Sequence, residues 1–98
     1  MPDDISRDEQ ALVLRDQNRS FVGIARELEL EGALGANAAF NRALRRRPAA
    51  EQEMLRSREA ARLDALGERV RRREDLSEEE VARRLRSLQR LRKTLFVA

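Results

Sequence analysis

The chain has 98 residues, a formal net charge of +3, 40% charged residues and only 3% aromatics, which fits one small domain or a domain with a helical appendage. Three Phe with no Trp or Tyr leave too little for a sandwich or barrel core, and the absence of Cys rules out a disulfide framework and a Cys-based zinc site. With no His, Cys or Tyr, the usual general base, thiol nucleophile and phenol are missing, so the expectation is a protein that is not an enzyme and uses no cofactor, metal or small-molecule substrate.

Ala, Leu, Arg and Glu dominate the sequence, which predicts an all-α fold. A first helix is expected from Ser6, where Ser6 and Glu9 have capping-box spacing, and Asn18 and Ser20 punctuate its end. A second runs over 21–28, with Ser20 as N-cap and Phe21, Ile24, Ala25 and Leu28 at i, i+3, i+4 and i+7 on one face. Gly23 weakens it or permits close approach to a neighbour. Residues 29–35 read as a turn in which Gly32 and Gly35 tolerate positive φ. A third helix is expected over 36–46, with Ala36, Ala39, Phe40, Ala43 and Leu44 inward and Asn37, Ala38, Asn41, Arg42 and Arg45 outward. Pro48 ends it.

A fourth helix is expected over 49–73, with Leu55, Leu63, Leu66 and Val70 on one face. The next boundary is the clearest in the chain, because Ser77 and Glu80 form a capping box and Leu76 and Val81 a hydrophobic staple. A fifth helix follows to about Leu95, with Val81, Leu85, Leu88, Leu91 and Leu95 on a broad stripe. The short connection makes the last two helices antiparallel neighbours. The expected architecture is a helix-turn-helix three-helix bundle over 1–48, followed by an antiparallel two-helix hairpin over 49–98.

A helix-turn-helix presents its second helix to the major groove of duplex DNA. On that reading Asn37 and Asn41 are placed for adenine edges and Arg42 or Arg45 for guanine, while Arg46, Arg47, Arg15 and Arg19 contact phosphates. Two observations oppose it. Leu28 and Phe40 lie twelve apart, longer than the tight motif allows, and residues 1–48 carry eight Arg against eight Asp plus Glu. Glu27, Glu29 and Glu31 must then face away from phosphate or meet a basic partner. The competing readings are a plain three-helix bundle whose arginines form a solvated face, and a helical module that docks on a partner protein. Heavy Arg usage also follows from a GC-rich genome.

The hairpin carries more apolar stripe than two helices bury against each other. Leu55, Leu63, Leu66, Val70, Val81, Leu85, Leu88 and Leu95 are therefore expected to hold a homodimer or higher homo-oligomer together. The arginines at 69, 71–73, 83, 84 and 86 form a second phosphate contact or a charged solvated face. No run approaches the ~18 apolar residues of a membrane span. The acidic Met1-Pro2-Asp3-Asp4 start lacks an apolar signal region, so the expected location is cytoplasmic.

Ser20, Phe21, Ile24 and Ala25, then Ala38, Ala39, Phe40, Arg42, Ala43 and Leu44, then Leu63-Asp64-Ala65-Leu66, resemble small helix-turn-helix proteins of phage and prophage origin. These include terminase small subunits and actinobacterial-type regulators. The resemblance covers about residues 20–66, and Gly23 departs from the polar residue usual there. It implies a DNA-recognition subunit that oligomerises through its C-terminal helices, serving phage DNA packaging or transcriptional control.

Overall fold

The computed structural model describes residues 4–96, and the Met1–Asp3 part of the acidic start lies outside them. Five helices follow in order, α1 (Asp4–Asp16), α2 (Phe21–Leu28), α3 (Gly32–Arg45), α4 (Ala49–Arg71) and α5 (Glu78–Phe96), with no strand among the described residues. No described helix is long and apolar enough to cross a membrane.

The chain divides into two compact units, Met1–Gln52 and Glu53–Ala98. The division falls past Pro48 for a local reason. The Gln52 side-chain amide donates to the carbonyls of Arg45 (3.2 Å) and Arg47 (2.7 Å). Those are orphan acceptors at the end of α3, so the first turn of α4 is stitched to the helix before it.

In the first unit α3 packs on both α1 and α2. Ala11, Leu12, Phe21, Ile24, Ala25, Ala36, Ala39, Phe40, Ala43 and Leu44 are buried. Half of these are alanines, which let helix axes approach closely. The Phe21 and Phe40 rings fill the remaining space edge to face, with centroids 5.9 Å apart. α2 forms as its sequence pattern predicts, and the Ser20 hydroxyl accepts from the Gly23 amide at 3.0 Å. Gly23 also gains a reason: a Cβ there would stand 3.2 Å from Ser20 Oγ, so the close neighbour is the cap itself.

Several boundaries differ from the expectation, among them the end of α4, at Arg71 rather than 73, and the starts of α1 and α3. α1 is already helical at Asp4, the first described residue, ahead of the expected Ser6, and the Ser6 hydroxyl instead accepts from Gln10 one turn on. α3 starts at Gly32, four residues before the expected Ala36, so Leu34 and Gly35 are helical. The connection shrinks to Glu29–Glu31, three residues. Left-handed backbone occurs at Glu29 (φ 56°) in the connection and at Gly32 (φ 63°), the first residue of α3; Gly35 needs no positive φ. The Glu29 amide still closes α2 by donating to the Ala25 carbonyl.

In the second unit, a Cβ on Gly67 of α4 would touch Leu85 and Leu88 of α5. Arg92 pairs with Asp64 at 2.7 Å, and Arg56 donates to the Leu95 carbonyl at 2.9 Å. These contacts bring position 67 to 85 and 88, 64 to 92 and 56 to 95. Ser77 caps α5 by accepting from the Glu80 amide at 3.1 Å. In the connection, Arg73 donates twice to Asp75, and these hydrogen bonds hold the Asp75 carboxyl below the ordinary carboxylate range.

Candidate nucleic-acid interface

The arginines expected at the end of the third helix are present, but α1 engages most of them. Asp8 is 1% exposed and lies on the buried stripe of α1 with Ala11, Leu12 and Arg15. Its carboxylate accepts from Arg42 Nε and Nη2, both at 3.0 Å, in a bidentate fork. Arg46 Nη1 reaches the same carboxylate at 3.0 Å. The hydrogen bonds that Arg42 donates to Asp8 raise the guanidinium pKa above its ordinary value, against the opposing effect of burial. Arg47 pairs with Glu9 and lies 3.8 Å from Glu51. The side chains of Arg42 and Arg46 as a whole are nonetheless 46% and 40% exposed, so neither is enclosed by its pairing with Asp8.

Arg45 is exposed and makes no ion pair among the described residues. Together with Leu34, Ala38 and Arg42 it forms one stripe at i, i+4, i+8 and i+11 along the solvent side of α3.

The other expected contacts are placed differently. Asn37 and Asn41 do not face outward. They are 6% and 4% exposed, and Asn41 Nδ2 donates to Asn37 Oδ1 at 3.3 Å. That hydrogen bond links the two amides one turn apart, as burial of polar side chains requires partners. Arg15 is buried too. Its guanidinium sits 4.0 Å above the Phe21 ring, and Nη1 donates to the Arg19 carbonyl at 2.9 Å. Arg15 therefore closes the α1–α2 corner rather than reaching outward. Arg19 remains at the surface, paired with Glu27 at 3.2 Å, which also neutralises one of the three acidic residues around the turn.

The residues expected to self-associate divide sharply. Leu63 and Leu95 are buried, whereas Leu55, Leu66, Val70, Val81, Leu85 and Leu88 are only half-buried. Leu63, Gly67, Leu85 and Leu88 line an open groove between α4 and α5, rimmed by Asp64, Glu68, Arg71 and Arg92. Of the basic residues in this unit, Arg71 pairs with Glu68 and Arg73 with Asp75, while Arg69, Arg72, Arg83, Arg84 and Arg86 are exposed.

The carboxylates that organise this site were not singled out from sequence. Asp8 reads locally as a first-turn residue suited to the helix dipole. The available signal was its spacing: Asp8, Leu12 and Arg15 share one face, so the acid belongs to the buried side of its helix. Among the described residues, no cluster of three or more His, Cys, Asp or Glu is placed to hold a metal ion. Compared with known proteins, the chain matches no family model, no curated protein and no solved structure, so the likeness to phage-type proteins rests on the quoted residues alone.

Proposed function

We propose that the chain is a non-enzymatic duplex-DNA-binding protein, in which α2, the Glu29–Glu31 turn and α3 act as a helix-turn-helix and α4 with α5 act as a helical hairpin. The observation that carries this reading is the connection. Three residues with a left-handed start at Glu29 match the 3–4-residue turn of the motif, and remove the length objection raised by the sequence.

The chemistry shifts from the asparagines to the arginines. Buried Asn37 and Asn41 support α3 from inside. Arg45 and the partly exposed Arg42 and Arg46 supply the phosphate contacts, with Arg47 and Arg19 at the margins. Phosphate contacts give affinity and salt dependence without sequence information. The half-exposed leucines of α4 and α5 favour a two-fold homodimer, which would set two α3 helices on one duplex. A recognition subunit of phage type or a transcriptional regulator would both use such an arrangement.

The test is fluorescence anisotropy with a labelled mixed-sequence duplex. Binding in the ~10⁻⁴–10⁻⁶ M range that weakens steeply between about 50 and 200 mM salt is expected. Absence of binding by folded protein at about 50 mM salt would refute the proposal. It would favour the second reading, a module that docks on a partner protein through the groove of Leu63, Gly67, Leu85 and Leu88.

A further inference from the structure

The stripe that α3 turns to solvent is chemically divided. Its C-terminal half carries Arg42 and Arg45. Its N-terminal half carries Leu34 and Ala38, and Leu34 is 78% exposed, far beyond what a core leucine shows. The residues flanking Leu34 add no side chain to speak of. Gly32 and Gly35 are bare, Ala33 is a methyl, and a Cβ built on Gly32 would meet nothing within 4 Å. The first turns of α3 therefore offer a narrow apolar ridge beside an open backbone at Gly32, while Gly35 faces Leu30 and Glu31 of the preceding turn. Asn37 and Asn41 are buried and take no part in the ridge, so the exposed Glu31 at the start of the helix is its nearest hydrogen-bonding neighbour.

We propose that α3 distinguishes base pairs by apolar contact of Leu34 and Ala38 with the C5-methyl group of thymine. The inference rests on the DNA-binding reading and names what that site selects. In a helix-turn-helix the N-terminal residues of the second helix meet base edges. Four kinds of base edge line the major groove, and thymine alone presents an apolar group, its C5-methyl. A ridge of methyl-bearing side chains has nothing to offer the donors and acceptors of guanine, cytosine or adenine, and leaves them unpaired. The charge of the stripe fits the same occupant. Arg42 and Arg45 follow at one and two turns beyond Ala38, where a helix lying in the groove meets the flanking phosphates. A protein partner that used the Leu34 ridge would owe nothing to thymine.

The experiment compares the full-length protein on an alternating dA·dT duplex and on the same duplex with dU replacing dT. The two differ only by the thymine methyl. The wild-type protein should bind the dT duplex about fourfold tighter for each methyl contacted. Leu34→Ser should bring the ratio close to one while leaving the salt dependence intact, since the arginines are unchanged. Leu34 contributes little to the core, so circular dichroism should be unaltered, and the wild-type ratio decides the matter even without the variant. Equal wild-type affinity for dT and dU duplexes would overturn the thymine contact and leave DNA binding standing. No affinity for either duplex would overturn both.

Discussion

Replacing Asp8 by Ala separates the two roles that the α1–α3 ion pairs join. The buried carboxylate takes a bidentate fork from Arg42 and a third contact from Arg46. Hydrogen bonds to charged groups contribute about 1.5–3 kcal/mol when shielded from water. Here both cations are close to half exposed and rehydrate once released, so each pair is discounted to about 1 kcal/mol. Two pairs give about 2 kcal/mol, and the better helix propensity of Ala returns about 0.5 kcal/mol. The expected net loss is about 1.5 kcal/mol, which lowers Tm by about 6–12 °C in a domain of this size. Binding should move the other way. The Asp8 carboxylate no longer competes with phosphate for the two guanidinium groups, so affinity for duplex DNA rises and stays strongly salt-dependent. Thermal melts followed by circular dichroism, with anisotropy titrations at three salt concentrations, read both effects. An unchanged Tm would refute the ion pairs as stabilising contacts. A lower Tm with unchanged or weaker DNA binding would refute the arginines as phosphate contacts.

Gly67→Ala should stabilise the protein by about 1 kcal/mol, because the helix interior gains propensity and the new methyl meets Leu85 and Leu88 at ordinary contact distances of 3.7 and 3.9 Å; a lower Tm would show that α4 and α5 approach more closely there. Glu29→Gly should raise Tm by several degrees, since it relieves a left-handed non-glycine residue costing about 1 kcal/mol. Light scattering should give a mass above the 11.3 kDa monomer at micromolar concentration, and Leu85→Asp with Leu88→Asp should return it to that value or unfold the chain; a wild-type mass fixed at 11.3 kDa would exclude the dimer. The Asp75 carboxyl, lowered by Arg73, should titrate below its unfolded value, so its contribution to stability is present above the unfolded pKa and is lost as pH falls through the folded one; an Asp75 side-chain titration by NMR at the ordinary carboxylate value would contradict that pairing.

The elements legible from sequence are those whose signals are local and agree. α2 has a cap, a four-residue apolar face and a stop within eight residues, and α5 opens on Ser77 with an acidic first turn. The start of α3 was hidden because Gly-Ala-Leu-Gly reads as a turn by propensity, yet packing of Ala36, Ala39 and Phe40 carries the helix back to Gly32. Polarity misled at Asn37 and Asn41. A face assigned by residue type puts asparagine outside, whereas two amides one turn apart are linked by a hydrogen bond and are buried. Nothing local ties Asp8 to Arg42, 34 positions away. Such pairs exist only once α1 lies on α3, so the sequence showed which residues were charged without showing which were already engaged.

The alanine seam between helices gives the two units different tolerance to mutation. Ala11, Ala36, Ala39 and Ala43 are wholly excluded from water. Added methylenes at such positions force rotamer and backbone shifts costing about 1–3 kcal/mol each. That is a large fraction of what a small domain has to lose. The half-buried positions 55, 66, 70 and 81 accept larger or differently branched side chains without that displacement. Across divergent copies of this chain, the first unit should hold its small residues nearly fixed while the second drifts in the size and shape of its apolar surface. A protein divided in this way can change what its C-terminal helices associate with and keep the geometry that presents α3 unaltered.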